Sequence, residues 1–332
     1  MTQRTSIHSS SPSDTAASVY VDNYGPVSRS KFSGLMRQTR KGKYLLLMFL
    51  PCLLYYVLFK YAPMFGIVIS FKNYNLYKGV WQSEWVGMKY YIMFFQNPDL
   101  FILLRNTFLL GFYKLLFGFP APIVLALLLN ETKNAIFKRF VQSVSYLPHF
   151  ISNVVVASMV IMFLSPSSGI INQLTGLLGA SPINFLVKPD WFRTIYVASE
   201  VWQHFGWETI IYLAALTSID PLLYEAAEID GASRMKKLFH VTLPGIAPAI
   251  VILFIMNVGK VLEIGFEKVF LLFNPATYST ADILSTYVYR VGLTNGNFSY
   301  ATAIDLFTGI VSLIFIYSAN YLSRKLGETS LW

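Results

Sequence analysis

Six apolar runs divide this chain, and each is long enough to cross a bilayer. A bilayer core takes about 20 consecutive apolar residues per helix. The runs are Tyr44 to about Phe65, with Pro51, Lys60 and Pro63 inside it; Thr107 to Leu129; Val141 to Leu164; Thr194 to Leu216, the most polar; Gly245 to about Ile264; and Ala303 to Tyr321. Only 13% of the residues are charged, against about a quarter in a soluble domain. The expected fold is therefore an all-α polytopic membrane protein with six transmembrane helices in one domain.

The net charge of +9 raises the question of nucleic acid. The basic residues flank the apolar runs and form no patch with interleaved aromatics, so nucleic acid is not an expected partner. Flanking Lys and Arg orient membrane helices. With the N-terminus inside, the inner segments hold fifteen Lys and Arg and the outer segments seven. Both termini are expected in the cytoplasm, and membrane lipid is the surrounding partner. Residues 1–42, rich in Ser, Thr and basic residues, read as a mobile basic tail and not as a cleaved signal. Residues 43–326 form the membrane domain, and residues 327–332 a short C-terminal tail. The one cysteine, Cys52, excludes an internal disulfide and a cysteine metal cluster, and it is expected to pack. The histidines, His8, His149, His204 and His240, are scattered. No metal site and no catalytic residue emerges. The first outer segment is aromatic (Tyr74, Tyr77, Trp81, Trp85, Tyr90, Tyr91), as suits a water–lipid interface.

Between the fourth and fifth runs the chain turns polar, in YEAAEIDGASRMKKLFHVTLP, Tyr224 to Pro244. Asp220-Pro221 can start a helix, Asp as cap and Pro in the first turn. Leu222, Ala226 and Ile229 then share one face. Gly231 can take the left-handed conformation that ends a helix. Ser233 can cap a second short helix carrying Arg234, Lys236 and Lys237, and Pro244 suits the start of the next run. Two short helices on the cytoplasmic side are expected, with small residues at Ala226, Ala227 and Gly231 open to another surface. A generic connector of this kind rests on lipid.

The spacing here is more particular. Glu225-Ala226-Ala227, Gly231, and Val241-x-Leu243-Pro244 resemble the EAA motif of the permease subunits of bacterial ATP-binding-cassette importers that work with a binding protein. Val241 stands where that motif has Ile. The resemblance covers most of residues 44–332. Asn106-Thr107, Tyr146-Leu147-Pro148 and FEKVFLLFNPATYSTADILSTYVYR look like the sugar-type permeases. That last stretch and the C-terminal GETSLW are most similar to the permeases for complex oligosaccharides.

The resemblance implies a type I importer permease fold, with a core at about 102–323 and a coupling loop at 220–244. It implies that the loop docks on a cytoplasmic ATPase, with Glu225, Ala226, Ala227, Gly231, Leu243 and Pro244 as coupling elements. It also implies four kinds of partner: a second permease subunit, in a heterodimer; two ATPase subunits; an extracellular solute-binding protein; and an oligosaccharide substrate. The chain has no G-x-x-x-x-G-K-[ST] sequence. Energy must therefore come from a partner or from an ion gradient. The resemblance implies ATP and Mg on a partner ATPase, no cofactor on this chain, and a chain that is not itself an enzyme.

Ionisable groups inside a bilayer face a bundle interior or a cavity. Here they are Lys60, Lys114, Glu200, His204, Glu208, Lys260, Glu263 and Asp305. Glu200, His204 and Glu208 recur every four residues and share a helical face. The same groups could serve as interhelical hydrogen bonds. By spacing from the motif, the resemblance implies that His204, Trp207, Asn257 and Lys260 line the substrate pathway. The competing class is an ion-coupled secondary transporter using Glu200, Glu208 or Asp305. It fits neither the EAA spacing nor the absence of an inverted repeat.

Overall fold

A computed structural model describes residues 43–325. The expected tails, 1–42 and 327–332, lie outside the described residues. The chain divides after Phe65 into two units. In the first, helix α1 (Lys43–Tyr56) carries Pro51 inside it and continues through a π turn, Val57–Tyr61. Every side chain described from Leu47 to Phe65 is exposed, including Cys52, which the sequence led us to expect packed. A single helix offers its own residues no second surface to pack on.

The second unit opens with a two-residue antiparallel pairing, β1 (Lys72–Asn73) on β2 (Glu84–Trp85), and a short helix, α2 (Lys89–Phe95). The long elements follow: α3 (Leu100–Glu131), α4 (Ala135–Phe150), α5 (Asn153–Phe163), α6 (Ile170–Leu177), α7 (Pro189–Thr217), α8 (Pro221–Ile229) and α9 (Arg234–Gly259). The chain closes with α10 (Phe266–Leu272), α11 (Leu284–Tyr289) and α12 (Phe298–Lys325). Among the described residues four helices are long and apolar enough to cross a membrane: Leu47–Phe71, α3, α9 and α12. There are up to six if the bent pairs α4–α5 and α7–α8 each count as one.

Three expectations need correction. The third run is not one helix: α4 and α5 meet at 102°. Pro148 sits in a 3₁₀ turn, Ile151 is extended, and the Ser152 side chain accepts from the Val155 amide to start α5 afresh. The fifth run ends at Gly259 and not near Ile264. Its start lies far earlier, at Arg234, because the expected second short helix is the first turn of α9 itself. Between them the ladder widens into a π turn at Leu238–Thr242, where the Leu243 amide bonds to the Leu238 carbonyl. Pro244 follows at once. A proline inside a helix removes one hydrogen bond and clashes with the preceding turn. The π turn places that defect at a seam, so the helix continues through it.

The packed interior lies in three places. Leu110, Ala157, Tyr196, Val269 and Ile283 join α3, α5, α7 and α10. Phe94, Leu103, Leu284 and Ile304 join α2, α3, α11 and α12. Ala126, Tyr212, Leu216 and Ile246 join α3, α7 and α9 at the end that carries the loop. Lipid is as apolar as these side chains, so close packing and interhelical hydrogen bonds hold them. Gly111 shows how close: a side chain there would run into the backbone of Val261.

Candidate translocation cavity and coupling loop

A cavity of about 170 Å³ opens between α3, α7 and the C-terminal end of α9. Helix α7 supplies one wall. Pro189 in its first turn and Asp190 beside the amide-rich end favour its start there. Its 29 residues span about 44 Å. Glu200, His204 and Glu208 line the cavity together, as their four-residue spacing predicted. Asn257, Lys260 and Glu263 face them, and Lys114 closes the third side. Lys114 begins a π turn in α3, Lys114–Gly118.

The buried carboxylate of Glu200 ties three elements. Lys114 Nζ donates to its Oε1 at 2.8 Å, and Lys268 Nζ, from α10, donates to its Oε2. Such a site is favourable only when every member is paired. His204 Nδ1 lies 3.0 Å from the Glu200 carbonyl, which leaves the other ring nitrogen free for a ligand. Asn257 donates one amide hydrogen to the Leu253 carbonyl at 2.9 Å. Lys260 is exposed and has no ion-pair partner among the described residues.

Of the four residues expected on the pathway, His204, Asn257 and Lys260 share this cavity and Trp207 does not line it. The Trp207 ring stacks flat on His149, with centroids 4.7 Å apart, on an adjoining face of α7. Lys268 was missed. Its side chain is almost wholly buried although it lies outside every apolar run. The available signal was one lysine between Phe266 and the apolar Val269-Phe270-Leu271-Leu272.

The loop is built from short-range contacts. Asp220 Oδ1 accepts from the Leu222 amide at 2.9 Å, and the Ser233 side chain caps Lys236. Helix α8 ends in a Schellman motif: the Ala232 amide bonds to the Ala227 carbonyl and the Gly231 amide to the Glu228 carbonyl. Gly231 has φ +70°, and no atom lies within 4 Å of where a Cβ would stand. Glu225, Ala226 and Pro244 are exposed, and Ala227 and Leu243 half-buried. Leu222 and Ile229 leave 65% and 87% of their surface open. Apolar side chains bared on a short helix mark a contact surface. Two bonds fasten α8 to α9: Tyr224 Oη to Thr242 Oγ1 at 3.0 Å, and Lys237 Nζ donating to Glu228 Oε1 at 2.6 Å. The hydrogen bond from Lys237 and its charge hold the Glu228 carboxyl below its usual value.

Spans around a polar cavity, with a bared helix fixed to one of them, define a membrane transport subunit. The chain belongs to the family described as binding-protein-dependent transport system inner membrane component, whose profile matches residues 118–328. It is a multi-pass permease subunit of an importer whose ATP hydrolysis is carried out by separate subunits. It is 47% identical to the polygalacturonan/rhamnogalacturonan transport system permease protein YteP of Bacillus subtilis, over 92% of this chain and 95% of that one. It is 46% identical to the protein LplB of the same organism, over 90% and 93%. Its structure resembles a crystal structure of a bacterial ABC transporter involved in the import of the acidic polysaccharide alginate. That match has TM-score 0.82 and 40% identity, and covers 88% of this chain and 99% of that one. Nothing in these matches favours the ion-coupled alternative.

Proposed function

We propose that this chain is half of the translocation pathway of an ATP-driven importer for fragments of an acidic polysaccharide. The observation that carries this reading is the fastening of a bared helix, α8, to the span whose far end lines the polar cavity. In this reading a cytoplasmic ATPase pair grips α8 through Glu225, Ala226, Ala227 and Gly231. The Tyr224–Thr242 and Glu228–Lys237 bonds pass the motion to α9, with Leu243 and Pro244 at its π-turn seam. Asn257 and Lys260 at the other end of α9 then move against His204. Trp207, on its adjoining face, meets sugar further along the path.

The substrate class draws on the relatives' saccharide transport and on the unpaired Lys260, which suits a carboxylate. Residues 43–326 form the permease domain, with its core at about 102–323 and a basic tail before it. The other half of the path is a second, different permease. A solute-binding protein delivers substrate outside, and ATP and Mg sit on the ATPase pair. In this reading both termini face the cytoplasm, which the Lys and Arg excess on the inner segments favours.

The test is uptake by the complex purified with its partners and reconstituted in liposomes. Galacturonate and alginate oligomers should enter only with ATP. The Asn257→Leu, Lys260→Leu double variant should lower uptake roughly tenfold or more, as loss of a charge-assisted hydrogen bond does. Unchanged uptake and unchanged preference in that variant would remove the site.

A further inference from the structure

Asp305 stands unpaired at membrane depth. It is the eighth residue of α12, about 10 Å along the helix from Phe298. It is exposed and has no ion-pair partner among the described residues. A carboxylate at such depth does not face lipid; it faces a cavity or a partner.

The structure supplies a cavity. Asp305, Thr302 and Phe298 of α12 line a pocket of about 390 Å³ together with Phe266, Ser285 and Tyr289. The Phe266 and Tyr289 ring centroids lie 5.0 Å apart, and Phe270 packs on both. Ser285 Oγ is buried without a hydrogen-bond partner, so a donor and an acceptor stand unused at the wall. The helix carrying Ser285 and Tyr289 is held in place. Thr286 Oγ1 donates to Asp282 Oδ1 at 2.8 Å, and Arg290 Nη2 donates to Asp282 Oδ2 at 2.6 Å. Burial lowers the Arg290 pKa, and the hydrogen bond to Asp282 and its charge outweigh it, so the net shift is upward. The lining of this cavity comes close in sequence to that of the first. Ile264 lines one and Phe266 the other, two residues on, at most about 7 Å along the chain.

We propose that this second cavity is a saccharide subsite, holding one ring of the oligosaccharide while another ring occupies the cavity at His204 and Lys260. The chemistry is complementary. Aromatic faces take the C–H face of a sugar ring, and Ser285 and Asp305 take its hydroxyls. Asp305 repels a carboxylate, so the ring held here turns hydroxyls toward it. The subsite rests on the proposed saccharide transport, and it makes this chain sensitive to substrate length.

Length is therefore the readout. The reconstituted complex is given galacturonan, alginate, arabinan and galactan oligomers from dimers to hexamers, and uptake is resolved by mass spectrometry. Asp305→Asn and Tyr289→Leu should each raise KM for pentamers and hexamers roughly tenfold more than for dimers, with the second permease still bound. An equal change at every length, or none, would overturn the subsite. Loss of the second permease on Asp305→Asn would also overturn it, assigning Asp305 to an ion pair between subunits. An unmutated complex that holds its ATPase yet imports no oligomer would sink the saccharide reading and this proposal with it.

Discussion

The loop and the cavity are held by contacts of different reach. In the loop, Asp220 bonds two residues away, Glu228 nine, and Tyr224 eighteen. In the cavity, Lys114 reaches Glu200 across 86 residues and Lys268 reaches it across 68. A region built from near neighbours keeps its shape whatever the rest of the bundle does, so it can be gripped and moved as one piece. A region built from distant neighbours changes whenever the helices carrying them move. Changes in the loop should therefore act on the partner and leave this chain folded, whereas changes at Glu200 should act on the fold and the path together.

Gly231→Glu should break that comparison most visibly. The left-handed conformation costs a side chain about 1–2 kcal/mol, and the added carboxylate would stand on the docking face. Uptake should fall to background while the amount of protein in the membrane is unchanged. Gly231→Ala separates the two causes. Its Cβ meets nothing within 4 Å in this chain, so any loss beyond the strain reports a partner atom there. Equal uptake by Gly231→Glu and the unmutated complex would end the claim that this loop couples.

Glu200→Leu should act in the opposite manner. It leaves Lys268 buried and unpaired, a change that costs about 3–5 kcal/mol. The expected result is a lower melting temperature of the purified complex and less protein in the membrane. The Glu200→Leu, Lys268→Met pair should recover most of the stability, because both charges leave together. A double variant as unstable as the single would mean that Glu200 is held by something other than its lysines.

The same difference in reach governs what the sequence discloses. Asp220-Pro221, Gly231 and Ser233 announce their roles because a cap or a helix end is decided within a few residues. Their geometry matches the expectation, though the loop contains one short helix and not two. The π turn before Pro244 was not foreseen: a proline reads as a boundary unless the neighbouring ladder shifts to receive it. The face Glu200–His204–Glu208 was legible from its period, and Asn257 and Lys260 from their spacing to the motif. Trp207 shares that stretch of helix but turns to His149, a contact that depends on how α4 crosses α7. Local pattern showed Lys268 beside an apolar stretch but not its partner Glu200, since α10 reaches α7 only after two further elements have folded back.

Glu228→Gln is the smallest test of the comparison and the most local. Glu228 is exposed, and its ion pair with Lys237 stitches α8 to the first turn of α9. Gln keeps the shape and removes the charge, so fold, stability and membrane level should hold, and ATP-driven uptake should fall by less than twofold. The sign with pH follows from the lowered pKa of the carboxyl. Its contribution is fully present above the ordinary value of 4.5 and is lost as pH falls through the lower folded value. From neutral pH down to 5 the unmutated complex and Glu228→Gln should therefore keep a constant ratio of uptake. High salt should bring them together at any pH, because exposed charges are screened. A gap that widens between pH 7 and pH 5, or that survives high salt, would mean that the carboxylate meets the ATPase and not Lys237. The loop would then owe its rigidity to the Tyr224–Thr242 bond, the Schellman turn and the Asp220 and Ser233 caps.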